Sequence, residues 1–171
     1  DMEGWTCFNA SSNNVKTPWF HSSNAASQGK EPKHSHSGKG HLMSVTYRDG
    51  VAAFHNPIDN YLVSPVKIKV AENSKISFFA RAHTDAYYME HFGLAISTTG
   101  NASASDFTTV QDWIISDRTN WKEYTFDLSA YAGQEIYVAI RHFFTAQEWS
   151  DSGQGLDYDA LNIDDITFEN V

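Results

Sequence analysis

Cysteine occurs once in the 171 residues, as Cys7, which excludes an internal disulfide and any zinc site built on CxxC spacing. Basic residues are scarce. Twelve Lys and Arg stand against 21 Asp and Glu, and the formal charge of −9 repels a nucleic-acid duplex from most of the surface. Long apolar runs are missing too: Ile76 to Ala80 already contains a serine and falls far short of the ~20 residues a membrane helix needs. No basic amphipathic stretch suits the surface of a bilayer. Neither nucleic-acid binding nor membrane insertion is therefore expected. The GxSxG, HExxH, GxxxxGKS/T and GxGxxG patterns are absent, which leaves hydrolase-elbow, zincin and nucleotide-loop chemistry without local support. The start at Asp1, without a signal peptide, reads as that of a mature or excised piece.

The charge that is present is unevenly placed. Bases and acids balance through residue 110, whereas residues 111–171 carry three bases (Arg118, Lys122, Arg141) and twelve acids. No base follows Arg141, while Glu148, Asp151, Asp157, Asp159, Asp164, Asp165 and Glu169 succeed one another. Crowded carboxylates repel, and they are accommodated either by a solvated loop or by a bound cation.

Regular structure announces itself as period-2 alternation. Short apolar runs recur at residues 61–63, 66–70, 75–79, 92–96, 113–115, 121–126, 136–141 and 161–168, each bounded by turn-forming residues. Residues 1–60, rich in Ser, Asn, His and Gly, read as loops over a few short strands. No stretch sustains helical periodicity beyond a couple of turns. The chain is long enough for one core and short for two, so residues 1–171 are expected to form a single all-β domain, a jelly-roll β-sandwich. In the last run Leu161 and Ile163 share one face and Ile166 and Phe168 the other. A β-bulge at Asp164–Asp165 would return all four to the core and leave two carboxylates at a kink; a strand end with both aspartates in solvent is the alternative.

Three groups of residues are candidates for function. The connection from Arg81 to Ser97 holds Asp85 and Glu90 with Tyr87 and Tyr88 between two strand patterns. The tyrosines serve either as exposed recognition groups or as one core residue and one lid. Trp149, with polar neighbours in the acidic loop 147–159, is expected to be exposed, whereas Trp5, Trp19, Trp113 and Trp121 adjoin strand patterns and are expected in the core. His34, His36 and His41 have a spacing open to a transition metal, but lie in a loop with no evident supporting shell. Glu90 paired with a late aspartate is the one carboxylate couple available for glycoside hydrolysis.

Three pieces of the chain resemble the cleaved-adhesin, or choice-of-anchor J, family of adhesin domains found in gingipain proteases and related haemagglutinins. The first is Gly4-Trp5-Thr6 with Asp59-Asn60-Tyr61-Leu62-Val63-Ser64-Pro65. The second is residues 85–107, with Glu90-His91-Phe92, Ser97-Thr98-Thr99-Gly100 and Asp106-Phe107. The third runs from Trp121 through Tyr137–Phe143 to the closing Leu161–Ile166. The resemblance implies a galactose-binding-like jelly roll with structural calcium, acting outside the cell or at its surface as a non-catalytic adhesion module for a host protein or glycan. It also implies a place in a larger secreted multidomain protein. Residue by residue it favours Asp164 and Asp165 as calcium neighbours and makes Asp85 and Glu90 a second acidic pair; Tyr87, Tyr88 and Trp149 are the expected ligand-binding aromatics. The family's aspartate-rich early turn is here Asn9-Ala10-Ser11-Ser12-Asn13, which weakens any metal at that turn, and an initial strand is expected to be missing or truncated at Asp1. A carbohydrate-binding module of a secreted enzyme is the alternative on the same architecture.

Overall fold

The computed structural model describes residues 2, 4–12, 15–31, 33–46, 57–118, 120–153 and 155–171. Eleven strands are placed among them: β1 (Thr6–Asn9), β2 (Phe20–His21), β3 (Leu42–Val45), β4 (Asp59–Val63), β5 (Ile68–Lys69), β6 (Lys75–Ala82), β7 (His91–Ser97), β8 (Thr108–Ile114), β9 (Lys122–Asp127), β10 (Glu135–Phe143) and β11 (Ala160–Glu169). The α-helix α1 (Ala146–Asp151) precedes β11. One sheet runs β1-β4-β10-β7-β8, with β5 also paired to β10; the other runs β2-β3-β11-β6-β9. Every strand pair is antiparallel. All eight runs expected from alternation contain a strand.

Alternation drives the layers together. On β6, Ile76, Phe78, Ala80 and Ala82 point inward and meet Phe92, Leu94 and Ile96 of β7 and Ile136, Val138 and Ile140 of β10 across the sandwich. Phe78, Phe92, Trp113 and Tyr124 interlock edge to face, with Phe92 and Tyr124 at 4.9 Å and 86°. The other parity of the first sheet is also covered: Tyr61, Val63, Ala95 and Ala139 form a second cluster closed by Phe8 and Phe107, with Phe8 stacked on Tyr61 at 4.8 Å. This is why every residue of β7 is buried.

The register of β11 on β6 shifts between Asp164 and Thr167, and Asp165 has φ +48°. The bulge does what the phase flip of the sequence requires: Leu161 and Ile163 are buried in the core, and Ile166 and Phe168 pack against the same core from beyond the kink.

The strand ends gather the loops that carry the late acids. β6 ends at Ala82 and β7 begins at His91; β10 ends at Phe143 and β11 begins at Ala160. The 83–90 and 144–159 connections therefore emerge at the same end of the sandwich.

Candidate functional site

At that end, α1 begins with a capping box: Thr145 Oγ1 accepts from the Glu148 amide at 3.1 Å and Glu148 accepts from the Thr145 amide at 2.7 Å. The box fixes Glu148 beside His91, whose Nδ1 lies 3.0 Å from it while Nε2 lies 2.6 Å from Asp112. Burial pushes the Glu148 carboxyl up, but the Thr145 amide and His91 more than reverse this, and its pKa lies below the usual value.

Between the 83–90 connection and α1 lies a cleft of about 380 Å³. Ala86, Tyr88 and Met89 form one wall, and Glu148, Asp151, Ser152, Asp157 and Tyr158 the other. Tyr88 is half-buried beneath the Arg118 guanidinium, 4.6 Å from its ring centre, whereas Tyr87 and Met89 are 46% and 52% exposed. Burial, then the negative charges of Glu148 and Glu90, push the Tyr158 phenol up to about 12. The cleft thus combines aromatic walls with a strongly negative rim.

Trp149 is not part of this surface. It is 4% exposed and packs with Ile58, Phe144 and Tyr158 in a cluster of its own, contrary to the exposure expected from its polar neighbours. The capped turn at Thr145 opens the helix that carries Trp149, and Gly155 lies so close that an added Cβ would come within 2.4 Å of the ring. Sequence reasoning missed this helix although Thr145-Ala146-Gln147-Glu148 has the spacing of a capping box.

The acids proposed as metal neighbours fall in separate places. Asp85 is exposed. Glu90 is fully buried and accepts from the Thr46 hydroxyl and the Asp159 amide, each at 2.8 Å, while His142 Nε2 also lies 2.8 Å from it. His142 Nδ1 in turn lies 2.8 Å from the Ser44 hydroxyl. Ser44, His142 and Glu90 follow the hydrogen-bond order of a hydrolytic triad. All three are fully buried, and the set ties β3 and β10 to the residue that precedes β7. The nearest approach of Glu90 to a late aspartate is through the Asp159 backbone; the Asp159 carboxylate pairs instead with Lys30.

Asp164 and Asp165 do meet. Asp164 Oδ2 accepts from the amides of His36 and Ser37 at 2.8 and 3.2 Å; Asp165 accepts from the Ser37 hydroxyl at 2.6 Å and faces His36 Nδ1 at 2.6 Å. Hydrogen bonds from Ser37 and His36 hold the Asp165 carboxyl below its usual range. The donors gathered here are hard oxygens of the kind calcium takes, two carboxylates and one hydroxyl, partly committed to the loop. Among the described residues no three His, Cys, Asp or Glu side chains stand together as a metal site, and His36 and His41 are directed to Asp165 and Ser35 respectively.

The profile of the Cleaved Adhesin Domain family matches residues 2–167. The chain belongs to that family. Hemagglutinin A of Porphyromonas gingivalis is 36% identical to this cleaved-adhesin domain over an alignment of 127 positions that covers 64% of this chain and 5% of that protein. The K3 cleaved adhesin domain of Lys-gingipain from P. gingivalis W83 superposes with a TM-score of 0.70 at 23% identity, covering 96% of this chain and 90% of that one. TmCBM61, solved in complex with β-1,4-galactotriose, shares the fold at a TM-score of 0.55 and 13% identity, covering 96% of this chain and 86% of its own. The jelly-roll β-sandwich expected from the sequence is thus the architecture of the adhesin domains and of at least one carbohydrate-binding module.

Proposed function

We propose that this cleaved-adhesin domain is a non-catalytic extracellular module that binds a host protein or glycan through its loop end. The reading is carried by the cleft between the 83–90 connection and α1, where exposed Tyr87 and Met89 flank a pocket walled by Tyr88 and Tyr158 and rimmed by Glu148, Asp151 and Asp157. Aromatic side chains give large contact area at small entropic cost, and the carboxylates select partners that are cationic or rich in hydroxyls.

Calcium belongs to the same proposal. Asp164, Asp165 and the Ser37 hydroxyl would hold the ion, with water and main-chain oxygens completing its shell, and the ion would supply positive charge to the acidic half of the chain. Because His36 competes for Asp165, the site is weak, in the roughly 10⁻⁴–10⁻³ M range of extracellular modules.

A glycan array run beside a panel of immobilised matrix proteins tests the reading. Matrix-protein binding lost in Tyr88→Ala supports adhesion to protein. A sugar-specific response lost in the same variant supports the carbohydrate-binding module of a secreted enzyme. Binding that survives in both Tyr87→Ala and Tyr88→Ala removes the cleft from the mechanism.

A further inference from the structure

A second pocket, sharing no lining residue with the cleft, opens beside the bulge of β11. It encloses about 280 Å³ among Trp5, His21, Gly40, His41, Leu42, Ile163, Asp164, Asp165 and Ile166. That is just under the roughly 300–1,000 Å³ of drug-sized sites, enough for one small ring and too little for an extended chain. We infer that this pocket binds a single neutral sugar ring, with its carbon face on the Trp5 and Ile166 side and its hydroxyls turned to His21, His41 and the bulge carboxylates.

The most telling residue is His41. It is 2% exposed, its Nδ1 lies 3.2 Å from the Ser35 hydroxyl, and its Nε2 is buried with no hydrogen-bond partner among the described residues. Buried polar atoms are almost always paired, so an unpaired one on a pocket wall marks a place where a ligand group completes the set. Burial, then the charges of His83, His21 and Arg81, lower the His41 pKa to about 4, so the ring is neutral at pH 7. Its Nε2 then presents either a proton or a lone pair, and a hydroxyl satisfies both.

His21 is set differently. The Ser23 amide donates to its Nδ1 at 3.2 Å, so the neutral ring carries its proton on Nε2 and offers a donor edge. Glycine at position 40 makes room for that edge: a Cβ there would stand 2.2 Å from His21 Nε2. Opposite, Asp165 holds a positive φ of +48°, uncommon for a residue other than glycine, and the bulge brings both carboxylates to the pocket wall.

The chemistry narrows the ligand. Two carboxylates disfavour an anion. A neutral ring with an apolar face and several hydroxyls fits the mixed wall, because each hydroxyl can donate to a carboxylate and accept from an imidazole. This inference does not rest on the loop-end cleft, and either can fail without the other.

The test is a titration of the 171-residue chain, in chelator, with the methyl glycosides of galactose, glucose, mannose and N-acetylglucosamine. Glycerol serves as the open-chain control, and the Trp5 indole and His41 ring resonances are followed by NMR. At least one glycoside is expected to give saturable shifts of both resonances in the millimolar range, with glycerol silent. His41→Phe, which keeps a buried ring and removes Nε2, is expected to weaken binding at least tenfold, and Trp5→Leu likewise; Tyr88→Ala is expected to leave it unchanged. Should His41→Phe fold poorly, Gly40→Ala displaces His21 and is expected to give the same loss. No saturable shift with any ring, equal shifts with glycerol, or undiminished affinity in both Trp5→Leu and the His41→Phe or Gly40→Ala variant overturns the inference.

Discussion

His142 Nε2 and Glu90 Oε2 lie 2.8 Å apart with both side chains fully excluded from solvent, joining β10 to the end of the 83–90 connection. The loop end is therefore held by a polar fastening as well as by its apolar clusters, and Thr46, Asp159 and Ser44 depend on the same two residues.

Removing one member strands the others. Glu90→Leu is expected to destabilise the fold by about 3–5 kcal/mol, because it leaves the Thr46 hydroxyl, the Asp159 amide and His142 buried without the carboxylate they meet. Denaturant unfolding reads the change; a loss under about 1 kcal/mol would show that the set is dispensable.

Trp149→Ala is expected to cost about 3–5 kcal/mol by emptying the cluster with Ile58, Phe144 and Tyr158. Gly155→Ala strikes the same ring from the other side, since Gly155 also has φ +86°. Both variants should lower the midpoint of thermal unfolding, and a midpoint unchanged in both would contradict the buried indole.

The histidines set an acid limit. His41 titrates at about 4 in the folded chain against an ordinary 6.5, so the unfolded chain takes up the proton first as pH falls. Stability from this residue is complete above pH 6.5 and declines down to about pH 4, a loss of about 2–3 kcal/mol. His21 and His83 are lowered by burial in the same direction. Asp165, lowered instead by its hydrogen bonds, loses its contribution only below the usual carboxylate range. Unfolding curves of His41→Phe should be flatter between pH 6.5 and 4 than those of the parent chain; identical slopes would refute the assignment.

Calcium at millimolar concentration is expected to raise the unfolding midpoint by a few degrees over chelator-treated protein, with magnesium far less effective. Asp165→Ala should abolish the increment. A midpoint indifferent to calcium would return the acidic half of the chain to simple solvation.

What could be read in the sequence were features that repeat locally. The strands from β4 to β11 each advertise themselves by alternation, and the bulge by the phase change from Ile163 to Ile166. β1, β2 and β3 span two to four residues each, too short for a period to show. At the loop end, the sequence placed Tyr87 and Tyr88 together without deciding which is exposed, and Trp149 was misplaced because its burial depends on Ile58 and Tyr158, not on its neighbours in sequence. The Glu90–His142 pair spans 52 residues, and the His36–Asp165 contact 129, and no short-range pattern encodes either.

β11 is the last of the eleven strands in sequence order yet lies between β3 and β6 in the middle of its sheet. During synthesis the second sheet is therefore two separated flaps until residues 160–169 leave the ribosome, and their apolar inner faces stay open to water for that interval. A nick in the 98–107 connection would spare both sheets, while one inside β11 would remove the strip to which both flaps are sewn. β11 thus acts as the closing element of this sheet: until it is in place β2-β3 and β6-β9 share no strand, and once it pairs with β3 and β6 the sheet covers the core.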